Sequence, residues 1–361
     1  MSLPILTWLV FTLSITGACA TSAEYTTPNF NQTLSNVTIF TTGGTIAEAG
    51  SSATQTTNYG TPNSTFDELL AAVPELAQIA NVKGSAVASV DSQNINSTIL
   101  LDLALRITVE LSKVDVQGVV VTHGSDTLEE TAFFLDLTIN STKPVVVVGS
   151  MRPSSALSAD GPLNLYQAVK LAASASARGR GTMVTLNDRI SSAYYVSKTN
   201  ANALDTFIAK EQGQLGFFLN QIPIFYYEKS TPYGKPNFNA SSLVQLPKVD
   251  ILYAHIDMDP ALVNASIAAG AKGIVFAGTG AGNVPTTVEE RARVMNSECG
   301  VPMVFTTRTM NGFVPRSDTE SWEIAGADLN PQKARILLQL ALSDAPGMDE
   351  VASLFNPLQP Y

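Results

Sequence analysis

Gly118–Val121, Val145–Val148 and Gly273–Ala277 are short runs made wholly of apolar or glycine residues, rich in valine or other β-formers. Each is too short for a core helix and too apolar for a strand with one wet face. Such runs are strands buried on both sides, and a sheet covered on both faces is typically parallel. The segments between them carry the covering helices. Ser97–Leu111 places Ile99, Leu103, Ile107 and Leu111 on one helical stripe, and Pro162–Ala175 opens with proline in its first turn. Strands are also expected at Val37–Thr42, Ala86–Val90 and Thr182–Leu186, and helices at Phe66–Ala80, interrupted by Pro74, and Thr127–Thr138.

Residues 227–246 break the alternation with two prolines, a glycine and little periodicity, which reads as a linker. A second alternation follows: strands at Val249–Ala254, Gly273–Ala277 and Pro302–Thr306, and helices at Pro260–Ala269, Thr287–Met295 and Pro331–Leu342. The expected fold is therefore α/β. A larger N-terminal domain (36–226) has a mainly parallel sheet flanked by helices, and a smaller C-terminal α/β domain covers 247–361.

Composition narrows the function. The 361 residues carry 21 Lys and Arg against 31 Asp and Glu, a net charge of −10. That balance lacks the basic footprint of a nucleic-acid binder and does not favour anionic membranes. Two His and two Cys leave little material for a zinc site.

Residues 1–20 have no charged side chain and end in Ala18-Cys19-Ala20, an A-x-A pattern. They read as a cleaved signal peptide, followed by a polar leader over 21–35. Cleavage after Ala20 leaves Cys299 as the remaining thiol. Acceptors of the form Asn-x-Ser/Thr begin at Asn31, Asn36, Asn63, Asn96, Asn140, Asn239 and Asn264. Signal and acceptors together predict a secreted, cell-wall or periplasmic glycoprotein with no membrane span in its mature form.

Parallel sheets bind ligands beyond the carboxyl ends of their strands. The first strand ends in Thr41-Thr42-Gly43-Gly44-Thr45-Ile46-Ala47. Paired glycines let the backbone turn sharply and approach a ligand closely, and a hydroxyl follows at once. The run matches neither a phosphate-binding Gly-Lys-Ser/Thr loop nor G-x-G-x-x-G. A strand-to-loop turn whose hydroxyl satisfies backbone is the plainer reading of it. Gly118–Val121 ends similarly in Thr122-His123-Gly124-Ser125-Asp126-Thr127-Leu128-Glu129-Glu130-Thr131. Asp126 and Glu129, three apart, form a capping-box pattern for the helix that begins there. His123 has the chemistry of a general base, but the hydroxyl-bearing residues after Gly124 are better placed, so it reads as structural.

These two segments resemble the exported, bacterial-type (type II) L-asparaginases. The likeness extends through Asp91-Ser92-Gln93, Met151-Arg152-Pro153, Ser158-Ala159-Asp160-Gly161-Pro162, Ser197-Lys198-Thr199-Asn200 and Leu329-Asn330-Pro331-Gln332-Lys333-Ala334-Arg335. It runs from about Val37 to the C-terminus in conserved order and suggests a fungal secreted or cell-wall member.

The resemblance implies hydrolysis of L-asparagine to L-aspartate and ammonia without metal or cofactor, with minor activity on L-glutamine. Thr45 would be the nucleophile. Tyr59, in a mobile stretch Glu48–Pro62, would close over the site. Ser125, Asp126 and Lys198 would form a second hydroxyl–carboxylate–amine group. Ser92 and Gln93 would bind the substrate's α-carboxylate and α-amino groups, with Asp126 on the ammonium. Asn283 and an acidic residue, Glu320 by spacing or Glu323 with a gap, would reach a neighbouring subunit's site. A homotetramer of two intimate dimers is implied. Ser125 stands where most relatives carry Thr, which keeps the hydroxyl and loses a methyl. Two other classes compete: a secreted amino-acid-binding protein with the same pocket and little turnover, and an amidotransferase subunit, which the acidic balance disfavours.

Overall fold

The computed structural model describes residues 25–26, 30–44, 46, 48–57, 66–315, 322–344 and 347–355. In chain order the first strands are β1 (Tyr25–Thr26), β2 (Asn36–Thr41), β3 (Asn81–Ala86), β4 (Val116–Thr122), β5 (Val145–Val148) and β6 (Thr182–Leu186). Then come β7 (Arg189–Ser192), β8 (Ser197–Lys198), β9 (Phe207–Ile208), β10 (Gly216–Leu219) and β11 (Ile222–Phe225). The last four are β12 (Val249–Tyr253), β13 (Gly273–Gly278), β14 (Met303–Thr307) and β15 (Glu323–Ala325). The helices are α1 (Phe66–Ala71), α2 (Ser97–Ser112), α3 (Leu128–Thr138), α4 (Gly161–Ala172), α5 (Ala261–Ala268), α6 (Thr286–Cys299), α7 (Pro331–Asp344) and α8 (Met348–Phe355).

The fold is α/β with two main sheets. The larger has nine strands in the order β1-β3-β2-β4-β5-β6-β7-β10-β11, and the smaller four, β12-β13-β14-β15. In the larger, β3, β2, β4, β5 and β6 run parallel. The smaller sheet is parallel throughout. The Val runs are indeed fully buried: every residue of β5 and Val119–Val121 of β4 lies in the core. One face of the large sheet packs on α1 and α4. The other packs on α2 and α3, and this core continues through α7 and α8 to Val249, Val275 and Val304 of the small sheet. The two sheets thus share one hydrophobic core around the α3–α7 contact.

Several expectations change. The strand expected at Ala86–Val90 is instead β3 at Asn81–Ala86, because Asn81–Ala86 pairs residue for residue with β2 while residues 87–90 already turn toward the site. The helix expected over Phe66–Ala80 stops at Ala71, and a 3₁₀ turn takes over from Pro74. The far side of the large sheet is antiparallel. Asn187-Asp188 and Asn220-Gln221 all take positive φ (51°, 61°, 48° and 62°), which makes the two-residue turns of the β6–β7 and β10–β11 hairpins. Residues 227–246 form a packed strap. Phe238, Ala240, Leu243 and Leu246 are buried, and Phe238 N–H donates to the Leu137 carbonyl at 2.8 Å.

The expected signal peptide, residues 1–20, lies outside the described residues, as do residues 21–24 and 27–29 of the leader and Asn63. Several of the Asn-x-Ser/Thr asparagines have structural hydrogen bonds. Asn96 caps α2, accepting from Ile99 N–H, and Asn36 bonds both Asp115 and Asn81. Among the described residues no helix is long and apolar enough to cross a membrane.

Candidate active site

β2 and β4 are adjacent and parallel, so the turns that leave them emerge side by side. Thr42 extends the ladder by one step, donating its N–H and its hydroxyl to the Thr122 carbonyl at 3.2 and 2.9 Å. The chain then turns through Gly43 (φ +102°) and Gly44 (φ +86°), a region that residues with a Cβ rarely adopt. A Cβ on Gly43 would lie 2.5 Å from the Val90 carbonyl oxygen, and one on Gly124 would lie 2.8 Å from Ser92 Cβ. The turns carrying Gly43-Gly44, Ser92 and Gly124 therefore converge on one point at the carboxyl edge of the sheet. Thr127 ties two of them together, donating its hydroxyl to the Ser92 carbonyl at 2.7 Å.

Ser125 follows Gly124 and is buried, whereas Asp126 is exposed. Lys198, from the short β8–β9 arm, reaches both: its Nζ donates to Ser125 Oγ at 2.9 Å and to Asp126 Oδ1 at 2.5 Å. A hydroxyl in hydrogen-bond contact with an amine is the arrangement by which a weak oxygen nucleophile, or the water it holds, loses its proton. Ser92 is buried beside this group. Gln93 is exposed, with its amide 3.5 Å from Asp91 Oδ2. Thr45, Tyr59 and Glu320 lie outside the described residues. Glu48–Thr57, the described part of the stretch expected to be mobile, is tied to the loop after β5. The Glu48 carbonyl accepts from Ser154 N–H and hydroxyl at 2.8 Å each, and Leu157 N–H donates to the Ala53 carbonyl at 2.7 Å.

The capping box does not form. The cap of α3 is Thr127, whose side chain makes no capping hydrogen bond. Asp126 turns to Lys198 instead. Glu129 accepts the Lys198 backbone N–H at 2.5 Å and the side-chain amides of Asn330 at 3.0 Å and Gln332 at 2.5 Å. A local capping bond is exchanged for charge-assisted bonds to distant donors.

His123 is wholly buried and structural. Nδ1 lies 2.8 Å from the Gly124 carbonyl, which can only accept, so Nδ1 carries the proton; Nε2 then accepts from the Thr131 hydroxyl at 2.8 Å. Burial pushes its pKa down to about 4, so the ring is neutral and locks the turn before Ser125.

Glu48 is a site residue the sequence reading missed. It is 6% exposed, and burial first, then the charges of Asp91 and Asp126, raise its carboxyl to about 7. Its only sequence signal is a carboxylate four residues past Gly44, in an otherwise apolar and small-residue run. Asn283 and Glu323 line a cleft of their own on the small sheet, bounded also by Glu289 and Val314. Within one chain, none of Ser92, Ser125, Asp126 or Lys198 lines that cleft.

Two family models match successive parts of the chain. A family model described as asparaginase, N-terminal, matches residues 36–231, and one described as glutaminase/asparaginase C-terminal domain matches 248–355. L-asparaginase 2-3 of Saccharomyces cerevisiae is 48% identical over 330 residues, covering 90% of this chain and 91% of that protein. L-asparaginase 2 of Bacillus subtilis is 49% identical over 326 residues, covering 90% and 86%. A crystal structure of a probable cytoplasmic L-asparaginase from Campylobacter jejuni superposes with a TM-score of 0.84 at 40% identity, covering 89% of this chain and 99% of that one.

The last comparison corrects one expectation. The sequence reading puts the mature chain outside the cytoplasm, yet this structural relative is described as cytoplasmic. The physical weakness lies in residues 1–20, whose first segment has no Lys or Arg to supply the positive charge of an export signal.

Proposed function

The chain belongs to the asparaginase family, and on that premise we propose that it cleaves the side-chain amide of L-asparagine, releasing ammonia and leaving L-aspartate. It is an amidohydrolase of the L-asparaginase class. One observation carries the mechanistic reading: Lys198 Nζ sits 2.9 Å from Ser125 Oγ and 2.5 Å from Asp126 Oδ1, beside the Gly43-Gly44 turn.

In this reading the Thr45 hydroxyl oxygen attacks the amide carbon of asparagine, with Tyr59 assisting the transfer of its proton. The tetrahedral oxyanion is met by backbone N–H groups of the glycine turns. The intermediate collapses by breaking the C–N bond, and a proton goes to the departing nitrogen as ammonia leaves. A β-aspartyl ester on Thr45 remains. Water, relieved of a proton through the Ser125–Lys198 pair, attacks that ester, and aspartate departs as Thr45 regains its hydroxyl. Ser92 and Gln93 hold the α-carboxylate and α-amino groups, and Asp126 faces the ammonium. No step requires a metal or cofactor.

Catalytic residues fall in 36–226, with the strap at 227–246, while 247–361 supplies Asn283 and Glu320 or Glu323 to a neighbouring site. That division suits a homotetramer built from two intimate dimers. Exposed Ile251, Tyr253 and Ile256 along and beyond the edge strand β12 favour burial in such an assembly.

The test is ammonia release from asparagine, from glutamine and from buffer alone. Asparagine is expected to be turned over and glutamine slowly, since Gln93 offers a neutral amide. Thr45→Ala should abolish hydrolysis while aspartate still binds. Binding of asparagine without turnover in the unmutated protein would replace this reading with that of an amino-acid-binding protein, and equal kcat/KM for the two amides would remove the preference.

A further inference from the structure

Lys198 is held at two ends by the same turn of helix. Its ammonium meets Ser125 and Asp126 just before α3, and its backbone N–H donates to Glu129 Oε2, in the first turn of α3, at 2.5 Å. Glu129 is 3% exposed. Its second oxygen accepts from Asn330 and Gln332, which lie at the start of α7 in the smaller domain. Asn330 also donates to Ser197 Oγ at 2.9 Å. Next to them Lys333, buried, donates its Nζ to the carbonyls of Ala193, Tyr194 and Val196 at 3.1, 2.8 and 2.7 Å. All of these bonds fall on the six residues 193–198 or on the carboxylate that holds them.

The chemistry of this cluster is one-sided. The three groups facing Glu129 are all donors, so only an ionised carboxylate, with acceptors on both oxygens, satisfies them together. The position of an ammonium at the end of four methylenes depends on where its Cα is fixed. A Cα anchored through its own N–H confines Nζ to the reach of Ser125.

We propose that Glu129, oriented by Asn330 and Gln332, is a positioning residue for Lys198, so that the smaller domain sets the geometry of the Ser125–Lys198 pair in the larger one. The proposal rests on the reading of Lys198 as the partner of Ser125 in hydrolysis. Glu129 touches no reacting atom and acts only through Lys198. In Glu129→Gln, an amide nitrogen must face one of the three donors, and the anchor is lost without change of size.

The experiment is a double-mutant cycle on asparagine hydrolysis by the full chain, with Glu129→Gln, Lys198→Met and the two combined. Glu129→Gln is expected to lower kcat about 10- to 100-fold, the scale of a displaced catalytic group, with KM changed less than about threefold. The double variant should be as slow as Lys198→Met alone, because a positioning residue has nothing left to position. Wild-type kcat in Glu129→Gln, or losses that multiply in the double variant, would overturn the proposal while leaving the role of Lys198 intact. Wild-type kcat in Lys198→Met would instead remove the catalytic reading, and the proposal with it. If Glu129→Gln does not fold, Gln332→Met removes one donor and leaves the carboxylate two. It should show the same kcat-selective loss on a smaller scale, and an unchanged kcat there overturns the proposal.

Discussion

A methyl group placed on Gly44 would lie 2.2 Å from the Cα of Gly124, closer than any real side chain approaches a backbone. The turns that leave β2 and β4 are in backbone contact, which brings Gly44 and the hydroxyl of Ser125 to one edge of the sheet. The glycines are there because two main chains occupy the space of one side chain.

Gly44→Ala should therefore fail for two reasons, the clash and the positive φ of 86°. Strain of this kind costs about 1–3 kcal/mol, and the separation of the turns should remove hydrolysis as well. Gly213→Ala is the control, since it also has positive φ (78°) but meets nothing within 4 Å. It should lose a little stability and keep its kcat. Matching melting temperatures and activities in the two variants would refute the contact argument.

His123 gives the fold an acid limb. Its pKa is about 4 in the fold and 6.5 in the unfolded chain, so the unfolded chain takes up the proton first as pH falls. Its contribution is complete above pH 6.5 and declines toward pH 4, by about 3 kcal/mol in all. His123→Gln should flatten the loss of urea stability between pH 7 and pH 5. An unchanged slope would assign that limb to other groups.

Glu48 acts in the opposite sense. Its carboxyl titrates near 7 in the fold against 4.5 unfolded, so the folded chain holds the proton more tightly. Stability from this group is full below pH 4.5 and is lost as pH rises through 7. Glu48→Gln should gain urea stability over wild type at pH 8 and lose that advantage at pH 4.5. A gap independent of pH would show that Glu48 does not titrate there.

The two site-adjacent lysines should separate stability from activity. Lys333→Met leaves three buried carbonyls without their donor, at about 1–3 kcal/mol for each group left unsatisfied. Its thermal midpoint should fall sharply. Lys198→Met breaks a pair whose carboxylate partner is exposed, so less than about 1 kcal/mol of stability is at stake. Its melting should barely move while kcat falls steeply to a small measurable residue. A strongly destabilised Lys198→Met would mean that the lysine is structural.

Much of the fold was legible because its signals are local. Val145–Val148 reads as a buried strand from its own four residues, and the stripe through Leu103, Ile107 and Leu111 reads as a helix from its spacing. The β6–β7 and β10–β11 hairpins were not legible. Their turns use Asn-Asp and Asn-Gln rather than Asn-Gly, so residues that pay a steric cost at positive φ hide the turn. At the site, Ser125, Asp126 and Lys198 stood out by resemblance and are brought within hydrogen-bond reach. Glu48 did not stand out, because a single carboxylate has no pattern until its neighbours Asp91 and Asp126 are known.

By itself the sequence determined the parallel α/β core, the order of its two domains and the glycine–hydroxyl turns at the strand ends. All of these depend on short-range periodicity or on the backbone freedom of glycine. Only the tertiary structure decided what Asp126 and Glu129 do. A pair of acids at a helix start looks the same in sequence whether it caps the helix or serves distant donors. Here Asp126 binds a lysine 72 residues away, and Glu129 binds an asparagine 201 residues away. The packing of α7 against α3 brings those donors into place, and charge-assisted bonds to them replace the local cap.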